Sequence, residues 1–288
     1  MRKRRIAVVG YLSMDAIEVP DQRHACVPGG AALYGALGAR HAGAVPLLVA
    51  CVGDDYPAHW LRQLAALGID ITQVERRTGP TRRSTQRHGA AGERVSPHFR
   101  SSEWWERTQA LTPPSTTGLD DVDAVLACPM PVDALEVLLR QARSAGRPVT
   151  ADTSEAYASS MSSRLLALID QLAAFAPSRE ETRCMLPQLD DDTAAVLLAA
   201  RGSHVLQKRG AAGAFAVPAG APAGTPMAAP AAQVLDPTGA GDATAGALAA
   251  YLCGGAEFLA AARAALKTGA LATSAVGPAA LGFPIDAP

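Results

Sequence analysis

The sequence contains no apolar run near 18 residues, although hydrophobic residues make up 49% of its 288 positions. A membrane-spanning helix is therefore not expected. Charge is also scarce: 18% of residues are charged and the formal net charge is −1, which offers no basis for nucleic acid or a membrane surface as a partner of the whole chain. The five cysteines, Cys26, Cys51, Cys128, Cys184 and Cys253, show no C-x-x-C or Cys/His spacing, so neither a zinc site nor a disulfide framework is indicated. They read as free thiols of a reducing, cytoplasmic setting. Familiar phosphate-binding signatures are missing as well. No G-x-x-x-x-G-K-S/T occurs, which removes the Walker A loop, and the H-R-D and D-F-G pair is absent.

The chain is long enough for one large domain with a substantial core. Its basic start, Met1-Arg2-Lys3-Arg4-Arg5, has the charge of a secretory leader, but the apolar segment Ile6–Gly10 is too short for one and soon meets Asp15. A buried first strand is the better reading. Short β-like runs at about 5–10, 46–52, 123–128, 147–152, 171–176, 204–208 and 213–217 alternate with helical spacing over Gly30–Ala42, Tyr56–Leu67, Val132–Ala145 and Thr193–Arg201. Two alanine-rich helices, about Asp242–Cys253 and Glu257–Val276, close the pattern, with Gly254-Gly255 as the break between them. This alternation predicts an α/β fold with a mostly parallel central sheet covered on both faces.

Two stretches stand outside the alternation, residues 11–28 and about 72–107, and are assigned to a small β-lid inserted in the domain. From Arg76 to Arg107 the sequence has eight arginines against three glutamates, with His88, His98, Trp104 and Trp105 among them. Such a tract is either a solvated surface or a set of cations that meets an anionic ligand. Pro218–Ala232, rich in Ala, Pro and Gly, reads as a loosely constrained connection.

The run Asp236-Pro237-Thr238-Gly239-Ala240-Gly241-Asp242 is followed by small, helix-forming residues, which puts a glycine turn at a helix N-terminus. Unsatisfied amides and the positive end of the helix dipole converge there and favour an anion. A turn that merely held phosphate would gain nothing from a carboxylate beside it, whereas a hydroxyl nucleophile needs an acceptor for its proton. The competing reading makes Asp242 an N-cap that satisfies backbone donors. Local spacing does not choose between the two. A dinucleotide fingerprint is excluded, because Thr244 stands where its third glycine would be.

Asp236-Pro237-Thr238-Gly239-Ala240-Gly241-Asp242 is similar to the second signature of the PfkB, or ribokinase-like, carbohydrate kinases, and Pro28-Gly29-Gly30 followed by an alanine-rich helix, Gly43 and Val49-Ala50-Cys51-Val52-Gly53-Asp54-Asp55 resembles their first. The resemblance runs over nearly the whole chain. It implies a ribokinase-like three-layer α/β/α sandwich with a small β-lid, residues 1–288 forming a single such domain. It also implies ATP and Mg²⁺ as cofactors. Asp242 would be the catalytic base, and the amides of Gly239, Ala240 and Gly241 the anion hole. Asp15 would bind substrate hydroxyls, with Gly29 and Gly30 letting the substrate lie against backbone; Tyr34 stands where the sugar kinases often carry asparagine. Lys208-Arg209-Gly210-Ala211-Ala212-Gly213 is similar to the family's nucleotide loop, which makes Lys208, Gly210 and Gly213 nucleotide contacts together with Thr238, and the last helix would flank adenine. Pro177-Ser178-Arg179-Glu180-Glu181 resembles the N-x-x-E element, Ser178 replacing its asparagine on the nucleotide and Glu181 acting indirectly on magnesium. Without the resemblance, Asp15 is a turn aspartate, the glycine pair of residues 210 and 213 a link between strands, and Ser178 a helix cap with acids in the first turn.

The expected activity is transfer of the γ-phosphoryl group of ATP to a hydroxyl of a sugar, cyclitol or nucleoside. Two alternatives remain: a phosphorylated sugar held by the basic lid, and a catalytically idle member that binds a nucleotide or metabolite. A monovalent cation near the turn and a homodimer built on the lid are left open.

Overall fold

Ile6–Val9 and Pro46–Val52 are buried along their whole length, as strands must be in a parallel sheet with helices on both faces. The computed structural model describes residues 3–19, 22–89 and 119–285. Its central sheet contains β1 (Arg5–Val9), β4 (Val45–Val52), β5 (Asp70–Arg76), β7 (Ala124–Ala127), β8 (Val149–Ala151), β9 (Ala174–Phe175), β10 (His204–Lys208), β11 (Ala214–Val217) and β12 (Thr225–Met227). The order is β12-β11-β10-β9-β8-β7-β1-β4-β5. Every pairing from β10 to β5 is parallel; β11 and β12 close that edge antiparallel.

Alternate residues of β1 enter different cores. Ile6 and Val8 pack with α1 (Ala31–His41), α2 (Ala58–Ala66), α8 (Ala240–Cys253) and α9 (Phe258–Ala272). Ala7 and Val9 pack with α3 (Val132–Ser144), α5 (Ser162–Leu168), α6 (Arg179–Met185) and α7 (Asp191–Ala199). These are the three layers expected. The short α4 (Glu155–Ser160) precedes α5. Helices α1 and α8 approach backbone to backbone: a Cβ on Gly38 would run into the Ala243 carbonyl, and one on Gly246 into the Gly35 carbonyl. That contact holds the middle of α1 against the first half of α8.

The lid is a separate three-stranded sheet in the order β3-β2-β6. Here β2 (Ser13–Val19) pairs antiparallel with β3 (Gln22–Gly29) and parallel with β6 (Arg83–Arg87). Two boundaries differ from the sequence reading. Residues 72–76, assigned to the lid, lie in β5 and pair with β4 of the central sheet. This strand is half-exposed at the sheet's edge, so its polar side chains hid its membership. Within Pro218–Ala232, taken as a loose connection, Thr225–Met227 forms β12 on the opposite edge. His98, Trp104, Trp105 and the arginines beyond Arg87 lie outside the described residues. Among the described residues, no helix is long and apolar enough to cross a membrane.

Candidate active site

Asp236 shapes the glycine turn from beneath. It is fully buried; its Oδ1 accepts the Thr238 N–H at 2.9 Å and its Oδ2 the Gly277 N–H at 2.7 Å, a side-chain-closed turn of the Asx kind. Gly239 follows in the left-handed region, φ 73°, and takes the N-cap position of α8 without a side-chain cap. Asp242 is the third residue of the helix, so the capping alternative for it is overturned: the cap is Gly239. Gly239, Ala240, Gly241 and Asp242 are all half-buried, which leaves this end of α8 open to a ligand. The Ala240 N–H leans to the Pro237 carbonyl at 3.3 Å. The first-turn amides of an α-helix lack intrahelical acceptors, and the dipole adds positive potential.

Across from this turn lies Asp15, on β2 of the lid and 4% exposed. Burial pushes its carboxyl up, against hydrogen bonds from Ser13 and Ser84 and the charge of Arg82. Its Oδ1 has no hydrogen-bond partner among the described residues. A Cβ on Gly29 would overlap the Asp15 carboxylate, and Gly30, with φ 98°, passes so close to the Tyr11 carbonyl that a side chain has no room. The Asp15 carboxylate is thus packed against the Gly29 backbone through Oδ2, while its Oδ1 is the unsatisfied oxygen. Arg82 stands over the Tyr11 ring at 4.5 Å, close enough for a cation–π contact.

Tyr34 connects the two ends. It is fully buried on α1, and its ring fills the space into which a Cβ on Gly239 would project. Burial raises its pKa well above the ordinary range, and the charges of Asp236, Asp15 and Asp242 add to the effect. The hydroxyl is therefore neutral, and it has no partner among the described residues.

The third part is a cluster of charges at the carboxyl ends of β8 and β10, where open parallel sheets collect their ligands. Lys208 Nζ pairs with Asp152 Oδ2 at 2.5 Å, its side chain only 12% exposed. A Cβ on Gly241 would come to 3.2 Å from the same ammonium, so glycine keeps open a space between the helix end and the cation. Burial works to lower the Lys208 pKa, but the carboxylates of Asp152, Glu181 and Asp242 outweigh it, and the net shift is upward. Glu181 is raised from 4.5 to about 8, by burial first and by the charge of Asp152 next, with Lys208 and Ser178 opposing. Ser178 and Glu181 form a reciprocal capping box on α6: Ser178 Oγ accepts the Glu181 N–H at 3.1 Å, and Glu181 Oε2 accepts the Ser178 N–H at 2.6 Å. The capping role foreseen for Ser178 is present, and it leaves the hydroxyl's own O–H as a donor.

Gly210 and Gly213 lie in the turn that links β10 to β11. Gly213 is packed against the Met227 carbonyl, whereas Gly210 faces open space. The Thr238 hydroxyl is hydrogen-bonded to His88 Nε2 at 2.9 Å. Sequence reasoning did not single out Asp152, Asp236, Arg82 or His88 as site residues. Asp152 had a usable signal, since it ends a run read as a strand; His88 had none beyond its place in the basic tract.

The cradle suits a nucleoside triphosphate with magnesium on three observations: the open helix end, the space that Gly241 preserves beside Lys208, and the Asp152 carboxylate with the Glu181 carboxyl beside it as oxygen donors. One or two carboxylates together with substrate phosphates are the usual company of Mg²⁺. Among the described residues no group of three or more His, Cys, Asp or Glu could hold a metal ion.

A family model described as "pfkB family carbohydrate kinase" matches residues 3–285. A cytidine kinase of Thermococcus kodakarensis is 40% identical over 76 residues, which is 26% of this chain and 27% of that protein; the match thus spans about a quarter of the relative. Among solved structures, Burkholderia thailandensis nucleoside kinase in complex with inosine superposes with a TM-score of 0.77 at 18% identity, covering 96% of this chain and 92% of that one. A putative ribokinase II from E. coli in complex with ATP and Mg²⁺ gives 0.75 at 20% identity, covering 96% and 94%. At these identities the structural likeness establishes the fold.

Proposed function

The chain belongs to the pfkB family of carbohydrate kinases, and from that premise we propose that it transfers the γ-phosphoryl group of ATP to a hydroxyl of a sugar, cyclitol or nucleoside. The observation that carries this reading is Asp242 in the first turn of α8, directly after a left-handed Gly239 and at an open helix end.

In this reading the acceptor lies against the bare backbone of Gly29 and Gly30, and the unsatisfied Asp15 oxygen takes a hydrogen bond from one of its hydroxyls. The Tyr34 hydroxyl is buried near Gly277 and has no partner among the described residues. The reacting hydroxyl lies at Asp242, which accepts its proton as the oxygen bonds to the γ-phosphorus and the bond to ADP breaks. In loose phosphoryl transfer that proton leaves late, so a carboxylate at a helix N-terminus is base enough. The amides of Gly239, Ala240 and Gly241 and the Lys208 ammonium stabilise the charge on the transferred oxygens. Magnesium bound with ATP supplies further charge neutralisation, and Glu181 and Asp152 would hold it, directly or through water.

Most described arginines of the basic tract are engaged within the protein, so they lend a phosphorylated acceptor little support. Arg76 is bonded to the carbonyls of Gly53, Asp54 and Tyr56, Arg77 to Glu75, Arg83 to Asp55 and Arg87 to Glu18. Arg82 is the described lid arginine whose charge reaches Asp15. The cytoplasmic setting expected from the cysteines belongs to the same reading. So does a homodimer, for which β3 is a lid edge strand among the described residues.

The test is an acceptor panel of pentoses, hexoses, their phosphates, inositols and nucleosides. ADP should form only when an acceptor is present, and Asp242→Asn should lower kcat by about 10²- to 10⁴-fold without loss of fold. Near-normal turnover by that variant would refute the mechanism.

A further inference from the structure

His88 follows β6 in the lid, yet its ring reaches the glycine turn. Nε2 lies 2.9 Å from the Thr238 hydroxyl and 3.6 Å from Asp236 Oδ1. The side chain is 6% exposed, and the Asp236 carboxylate is fully enclosed. The His88 backbone N–H donates to the Glu18 carbonyl at 2.9 Å, which continues the pairing of β6 with β2. The strand that carries Asp15 therefore also carries, through its neighbour, a contact to the turn. Thr238 is bound twice, its N–H to Asp236 and its hydroxyl to His88, and the next residue is the left-handed Gly239 that sets the direction of the first α8 amides.

We propose that His88 is a positioning residue by which the seated lid holds the glycine turn, so that acceptor binding at Asp15 and the geometry of the anion hole are linked. This rests on the kinase reading. A seated lid excludes water and completes the catalytic constellation, and here it also reaches behind the turn. The effect is on placement. His88 meets the turn through the Thr238 hydroxyl and the Asp236 carboxylate, so it acts on the site through those residues.

A histidine that merely fills the core would behave differently, and two variants with two readouts tell them apart. The His88→Gln change retains a side-chain amide that can reach the Thr238 hydroxyl, while His88→Ala retains nothing that can. For His88→Ala, kcat should fall by about tenfold or more, since small misplacements of reacting groups are costly, with the KM for ATP changed far less. His88→Gln should recover most of kcat. Hydrogen exchange without ligands should show amides of residues 236–242 exchanging faster in His88→Ala, and the 45–52 strand unchanged. The proposal is overturned if His88→Ala keeps normal kcat and normal exchange at the turn. It is equally overturned if exchange rises uniformly over the protein and glutamine rescues nothing. If the wild-type protein turns over no acceptor, the kinase reading fails, while exchange at the turn still decides whether His88 holds it.

Discussion

The ring of Tyr34 lies in the space that a Cβ on Gly239 would need. One residue of α1 thus supports the cap of α8. Gly239→Ala meets both this overlap and the left-handed φ of 73°, and should destabilise the protein by roughly 2–4 kcal/mol in denaturant unfolding. Tyr34→Phe keeps the ring and removes a hydroxyl with no partner among the described residues. Its stability should stay within about 1 kcal/mol of wild type, and the change should appear as a higher KM for the acceptor. A large stability loss in Tyr34→Phe would mean that the hydroxyl is structural.

Lys208 is the counter-charge for the carboxylates around it. Lys208→Met leaves Asp152 and Glu181 without their cation, and breaking a buried pair from one side costs about 3–5 kcal/mol. The double variant Lys208→Met with Asp152→Asn removes both ends and should be more stable than Lys208→Met alone. Unfolding free energies of the cycle check this; strict additivity would show that the pair has no coupling.

The base of the lid is joined to the end of β4 through Asp55. Its Oδ1 accepts the Thr81 N–H at 2.7 Å and its Oδ2 pairs with Arg83 at 2.8 Å. Desolvation works against the charge, but the Thr81 and Arg83 contacts outweigh it and hold the carboxyl at about 2, below the ordinary 3.8. A folded-state value below the unfolded one gives stabilisation that is complete above the unfolded pKa and lost as pH falls through the folded one. Between pH of about 4 and about 2, wild type should therefore lose more stability than Asp55→Asn. Parallel acid-unfolding curves for the two would contradict it.

The legibility of these features follows their range along the chain. β1, β4, β7, β8, β10 and β11 were readable because strands buried on both faces are apolar runs. β5 was misassigned and β12 missed because edge strands carry polar residues and proline. Helices α4, α5 and α6 are too short to show a 3.6-residue period. Asp242 was readable as a candidate because a glycine turn and a helix start are local, although only the structure removed the capping alternative, by showing Gly239 in the cap position.

What the sequence determined by itself is the layered α/β alternation and the glycine turn at the start of α8, since both depend on neighbouring residues and on the periodicity of burial. The tertiary structure decided which distant groups meet: Lys208 with Asp152, Tyr34 beneath Gly239, and His88 of the lid against Thr238. Such pairs leave no local trace. Each is formed by strands and helices whose adjacency is set by sheet order and close helix packing, and a buried charge or ring becomes informative only when the group that compensates it is in place.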